Sequence, residues 1–250
     1  MTLSIHDFNI PKDIELNNKT ILVTGAGDGI GKVASLTFAS QGATVILLGR
    51  TVAKLEQVYD EIMQAGGPEP AIVPLDLNGA TQRHYREMAA TIESQFGKLD
   101  GVLHNASLLG DIQPFAQISE KQFNEVMQVN LNSTFLMTQA LLPALTKADT
   151  ASVIFTSSGV GNQGRAYWGT YAISKFATEG MMQTLADEYS NTPLRFNCIN
   201  PGATRTAMRA KAFPAEDRES VTPPEALMPL YSFLMSDESK SVTGKTIKAQ

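Results

Sequence analysis

Tyr171 and Lys175 stand four residues apart in Tyr171-Ala-Ile-Ser-Lys175. If a helix opens near Tyr171, that spacing turns both side chains to one face. A phenol has an ordinary pKa near 10, and acid/base work near neutrality needs it lowered by about 3 units, or roughly 4 kcal/mol. An ammonium about 4 Å away supplies a term of that order at an effective dielectric of about 20, so Lys175 is expected to lower the Tyr171 phenol. Upstream, the apolar run Ala151-Ser-Val-Ile-Phe-Thr156 reads as a strand leading to Ser158. A serine hydroxyl at that strand's end would hold a carbonyl oxygen while the tyrosine gives or takes its proton. A surface pair on an amphipathic helix has the same spacing, and the rest of the chain has to separate the two readings.

A second constellation supplies a partner for such chemistry. Thr20-Ile-Leu-Val23 is a short apolar strand, followed by Thr24-Gly25-Ala26-Gly27-Asp28-Gly29-Ile30-Gly31 and a helical pattern over Lys32–Ala39. Strand, glycine turn and helix in that order form a phosphate cradle, because glycines admit close backbone approach and the helix N-terminus offers free N–H groups. The next strand, Ala43-Thr-Val-Ile-Leu-Leu48, ends without the carboxylate that would bind the ribose 2′-hydroxyl of NAD; Gly49 and Arg50 stand there instead. A guanidinium grips a 2′-phosphate in bidentate fashion, which predicts NADP rather than NAD. Asp28, inside the glycine loop, argues against it.

Together with His104-Asn105-Ala106, Asn130 and Pro201-Gly202, these motifs stand in an order and spacing that resembles the short-chain dehydrogenase/reductase family over about Lys19–Thr246. Val45-Ile-Leu-Leu-Gly-Arg50 and Leu99-Asp-Gly-Val-Leu-His-Asn105 look like a bacterial subgroup of the YciK type. The resemblance implies Tyr171 as general acid/base, Lys175 as its partner and holder of the nicotinamide ribose, and Ser158 as the group that orients substrate. Asn130 would support a water in a proton relay reaching Lys175. Asp76 would contact the adenine amino group, Asn105 and Ala106 the adenine ribose, and Thr206 the nicotinamide carboxamide. The implied cofactor set is Gly25, Asp28, Gly29, Ile30, Gly31, Arg50, Asp76, Leu77, Asn105, Ala106, Tyr171, Lys175, Pro201, Gly202, Thr204 and Thr206. Two residues depart from the family pattern, Ser107 for glycine after Asn105-Ala106 and Gly27 for serine in the loop, and neither is expected to touch the catalytic set.

The elements that must position these groups alternate between strands and helices. This predicts an α/β fold, a single-domain doubly wound parallel sheet of the Rossmann type with about seven strands and helices on both faces. Strands are expected at 20–24, 44–48, 71–75, 100–104, 151–156, 194–199 and 245–248. Helices are expected near 30–42, 51–65, 80–96, 119–147, 171–190 and 224–236, with Ser119-x-x-Gln122 as a capping box. Residues 1–18 read as an extension of uncertain order, 19–250 as the cofactor-binding and catalytic domain, and 206–224 as a mobile loop or short helices over the site.

A 250-residue chain with 43% hydrophobic residues can bury one large core. The formal charge of -5 leaves no basic stripe for nucleic acid. Neither a signal peptide nor a membrane span is visible, and the single cysteine, Cys198, fits a reducing cytoplasm. The three histidines lack metal-ligand spacing, so no metal is expected, and His104 reads as a packed residue. Taken with the motifs and the family resemblance, the expectation is a cytoplasmic NADP-dependent oxidoreductase acting on a small carbonyl or alcohol substrate. The family resemblance, with apolar residues on several faces of 119–147 and 171–190, implies a homodimer or homotetramer. The alternative is a non-catalytic NADP(H) sensor or scaffold on the same fold.

Overall fold

Short apolar runs with both faces hydrophobic belong in a parallel sheet covered on two sides. The structure, a computed structural model describing residues 2–250, contains that sheet. Its strands are β1 (Thr2–Ser4), β2 (Thr20–Thr24), β3 (Thr44–Gly49), β4 (Ala71–Pro74), β5 (Gly101–His104), β6 (Ala151–Thr156), β7 (Leu194–Asn200) and β8 (Lys245–Lys248). They run parallel in the order β1-β8-β7-β6-β5-β2-β3-β4. The helices are α1 (Gly29–Ser40), α2 (Val52–Gln64), α3 (Gln82–Phe96), α4 (Glu120–Met127), α5 (Ser133–Leu145), α6 (Gly169–Glu188), α7 (Ala207–Ala212) and α8 (Met228–Met235).

Strand periodicity divides the core in two. Ile21 and Val23 face a layer built with α1, α2 and α8, through Phe38, Leu55, Val58, Leu230 and Leu234. Leu22, between them in sequence, faces the opposite layer, where Tyr85 and Ile92 of α3 meet Met137 and Leu141 of α5 and Met182 of α6. The chain winds outward from β2 through β3 to β4, then returns to place β5 beside β2. Ligands of such sheets bind at the carboxyl ends of the strands where the order reverses. Here that point is the β2/β5 crevice.

Three expectations change in detail. The N-terminal segment supplies an eighth strand: β1 pairs with β8 through Leu3 and Ile247, and Ile14 and Leu16 are buried in the core. Three residues are too few to show a period, which hides β1 in the sequence. The helix expected over 119–147 is interrupted at Gln128–Asn132 by a π-helical turn. Only half of the capping box forms: the Ser119 hydroxyl accepts from Gln122 N, while the Gln122 side chain turns to Gln113 and the Asp111 carbonyl. The 206–224 segment, by contrast, takes the short-helix form of its expectation, with α7 and a 3-10 turn at Arg218–Ser220 and a bridge between Thr204 and Thr222.

Candidate active site

β6 ends at Thr156, and the next residues turn into a 3-10 segment at Gly159–Gly161, whose Val160 N–H is capped by the Ser158 hydroxyl at 3.4 Å. α6 then brings Tyr171 and Lys175 back against this strand end. Both are buried, at 7% and 4% exposure. The Lys175 ammonium donates to the Thr156 carbonyl at 2.7 Å and lies 5.4 Å from the centroid of the Tyr171 ring. Ahead of α6, Tyr167 adopts φ = 74°, a left-handed conformation that costs a tyrosine about 1–2 kcal/mol. That turn seats Trp168 against Tyr171 with ring centroids 5.9 Å apart.

The electrostatics reverse the expectation for the phenol. Burial pushes Tyr171 up to about 12, opposed by its interactions with the Ser158 and Ser107 hydroxyls. Burial likewise pulls Lys175 down to about 8, opposed by its interactions with Cys198 and Glu179. The ammonium is committed to a strand carbonyl and does not overcome the loss of water around the phenol. The Tyr171 phenol is therefore protonated near neutrality. Ser107 also departs from its expected remoteness: its buried hydroxyl, lacking a well-aligned protein partner, belongs to the surroundings of Tyr171.

Asn130 sits inside the π turn, where local widening of a helix redirects side chains. Its carbonyl oxygen accepts from Leu108 N at 2.7 Å. Its amide donates to Leu108 O at 2.9 Å and to Ser174 Oγ at 3.0 Å. Ser174 in turn donates to the Tyr171 carbonyl at 2.8 Å. The side chain is thus spent on fastening α6 to the segment after β5, which makes Asn130 a residue that positions Tyr171.

At the β2/β5 crevice, the Thr24 hydroxyl accepts from Asn105 N and Ala106 N at 2.9 and 3.0 Å, locking the two strand ends together. A Cβ on Gly31 would lie 2.2 Å from the Gly25 carbonyl oxygen, so only glycine permits this turn. Gly29 takes φ = +52°, and a Cβ there would lie 3.3 Å from the Thr206 methyl, so the loop after β7 passes close over the glycine turn. The first turn of α1, with Ile30 and Gly31, presents N–H groups that an α-helix leaves unpaired. The arrangement fits a dinucleotide pyrophosphate.

Asp28 does not spoil the site for a 2′-phosphate. Its carboxylate caps α1 through Gly29 N at 2.8 Å and pairs with Lys54, whose hydrogen bond holds it below the usual carboxylate range. A side chain at Gly27 would strike Lys54 Cβ at 2.8 Å, which explains the missing serine. Arg50, just past β3, is exposed and forms no ion pair among the described residues. Farther along the crevice, Asp76 accepts from Asn78 N at 3.0 Å and is exposed, while Leu77 is buried. Thr204 donates to the Pro201 carbonyl at 3.1 Å, and Thr206 caps α7 through Arg209 N at 3.2 Å.

Three contributors are invisible in the motifs. Glu179, one turn beyond Lys175, is buried and accepts from Ser157 at 2.5 Å and from Thr246. Gln250 clasps the Pro201–Gly202 turn, donating to Ala203 O at 3.1 Å and accepting from Thr222 at 2.8 Å. Trp168 forms a wall beside Tyr171. His104 is a packed residue, 2.9 Å from the Thr138 hydroxyl and stacked on Phe155, and burial lowers it to about 3. Cys198 is buried on β7.

Known proteins resemble this chain over nearly its whole length. A family model described as short chain dehydrogenase matches residues 19–217. The chain is 55% identical over 240 residues to an uncharacterized oxidoreductase, YciK, of Escherichia coli K12, covering 96% of this chain and 95% of that protein. Among solved structures, a short chain dehydrogenase from Escherichia coli CFT073 complexed with NADPH superposes with a TM-score of 0.93 at 55% identity, covering 96% of this chain and 100% of that one. One from Shigella flexneri 2a complexed with NADP gives the same values.

Proposed function

The chain belongs to the short-chain dehydrogenase/reductase family, an oxidoreductase family, and on that premise we propose that it is an NADP-dependent carbonyl reductase or alcohol dehydrogenase in which Tyr171 is the general acid/base. The convergence of Ser158, Tyr171 and Lys175 at the mouth of the β2/β5 crevice carries this reading, because a passive dinucleotide binder needs no paired hydroxyl and phenol there. Residues 19–250 act as the cofactor-binding and catalytic unit, with 1–18 as its extension.

When bound, NADPH supplies the hydride. Gly25, Asp28, Gly29, Ile30 and Gly31 hold the pyrophosphate, and Arg50 takes the 2′-phosphate. Asp76, Leu77, Asn105 and Ala106 receive the adenosine. Pro201, Gly202, Thr204 and Thr206 line the nicotinamide end with Lys175. Ser158 orients the substrate oxygen, and Tyr171 gives it a proton. A buried phenol near pKa 12 is protonated throughout the neutral range, which suits carbonyl reduction. NADPH consumption over a panel of aldehydes and ketones tests the activity, and a sensor would consume none.

Arg50 gives a separate test of cofactor choice. Loss of a charge-assisted phosphate contact costs about 1.5–3 kcal/mol, so Arg50→Ala should weaken NADPH roughly 10- to 150-fold and leave NADH nearly unchanged. Fluorescence titration of both cofactors on both proteins decides it, and equal affinities in the parent would refute the assignment.

Assembly follows from the outer faces of α5 and α6, where Phe135, Ile173 and Phe176 are 50%, 38% and 46% exposed. Apolar residues outside the core-facing stripe call for a second partner, and a symmetric copy of this chain provides one. Light scattering at micromolar concentration is expected to show a dimer or tetramer; a monomer contradicts the assignment. No helix among the described residues is long and apolar enough to cross a membrane. A cytoplasmic enzyme acting on a small molecule, not on membrane or nucleic acid, is part of the same proposal, in keeping with the formal charge of -5.

A further inference from the structure

A cavity of about 440 Å³ opens beside Ser158 and runs under the segment before α6, lined among others by Gln163, Arg165, Trp168, Asn200 and Arg209. Its size suits a small molecule. No Asp or Glu lines it, although the chain as a whole carries -5. Its two cations differ in state. Arg209 is already neutralised, gripping Glu216 through Nε at 2.7 Å and Nη2 at 2.5 Å, with its guanidinium stacked 3.8 Å from the Phe213 ring centroid. Arg165 forms no ion pair among the described residues. It lies 6.0 Å from the centroid of Trp168 and 5.9 Å from that of Phe213, so its charge is held over the aromatic wall of the cavity.

An uncompensated guanidinium, an aromatic wall and a catalytic hydroxyl thus share one concave surface. We infer that the substrate is an oxo-acid or hydroxy-acid, whose carbonyl or hydroxyl group lies at Ser158 and Tyr171, whose apolar or aromatic body follows Trp168, and whose carboxylate pairs with Arg165. The inference rests on the catalytic reading of Ser158 and Tyr171. A guanidinium meets a carboxylate through two parallel hydrogen bonds, which a neutral amide of the same shape cannot match. Because Arg165 is exposed, water screens the pair, and the preference for acid over amide is expected to be about two- to fivefold.

Trp168 is the only tryptophan, so intrinsic fluorescence reports on this cavity without turnover. Phenylbutyrate and phenylbutyramide are titrated into the protein saturated with NADP. The acid should bind about two- to fivefold more tightly than the amide, and Arg165→Gln should bring the acid down to the amide's affinity. Tyr171→Phe should retain the acid preference. Equal affinities, no detectable binding of the acid, or an acid affinity that Arg165→Gln leaves unchanged would each overturn the inference. The two readings fail separately. Tyr171-dependent reduction of neutral ketones with no acid preference removes the anion site alone, whereas an acid preference in a protein indifferent to Tyr171→Phe removes the mechanism alone.

Discussion

Replacement of Tyr171 by phenylalanine is expected to reduce turnover by about 10²–10⁴, the range for loss of a general acid, with folding and NADPH affinity nearly unchanged. The substitution keeps the ring that packs on Trp168 and deletes one oxygen whose neighbours are the Ser158 and Ser107 hydroxyls. Nothing in the fold depends on that oxygen, so unfolding curves of the two proteins should nearly coincide. The parent should show a matching pH profile. Tyr171 stays protonated up to about 12, while Lys175 loses its charge as pH rises through about 8, so the reduction rate should be flat below 8 and fall above it. Measuring kcat/KM from pH 6 to 10 checks this, and a rate that rises through 8 would assign the proton to another group.

Lys175→Met should differ in two readouts. Turnover should fall at least as far, and NADPH should weaken by about tenfold or more, because a charged hydrogen bond to the ribose is lost. Stability should move the other way. Burial lowers Lys175 from 10.5 to about 8, so between those values the unfolded chain holds a proton that the folded chain lacks, and stability rises with pH across that window. Below about 8 the whole penalty is present, on the order of 3 kcal/mol at about 1.36 kcal/mol per unit. Methionine removes it and also removes the hydrogen bond to Thr156 O, worth about 1 kcal/mol. The variant should therefore be about 1–3 kcal/mol more stable than the parent at pH 7 in denaturant unfolding. A clear loss of stability would mean that the ammonium stabilises the fold and is not held in place at its expense.

Much of this site was legible because its chemistry is local in sequence. The glycine turn, Arg50 at the end of β3 and the Tyr171/Lys175 spacing each lie within one element or its cap, and the sheet announces itself through apolar runs such as Ile21–Val23 and Val153–Phe155. What escaped depends on residues far apart in the chain. The phenol's pKa depends on how completely tertiary packing excludes water, which the Tyr171/Lys175 spacing alone does not reveal. Ser107 reaches Tyr171 through space from 64 positions away. The π turn around Asn130 adds a residue to a helix without altering its apolar pattern enough to read. Glu179 looks like one more charge on a helix until Ser157 and Thr246 are seen to donate to it.

The most direct test of the account follows the hydrogen itself. NADPH carrying deuterium at nicotinamide C4 is incubated with the protein and a ketone that it consumes, and the alcohol is analysed by mass spectrometry and NMR. The account predicts one deuterium on the carbinol carbon for each NADPH consumed by the parent, with the same product formed at least about a hundredfold more slowly by Tyr171→Phe. Alcohol without deuterium, or equal rates in the two proteins, would contradict an oxidoreductase in which Tyr171 delivers the proton.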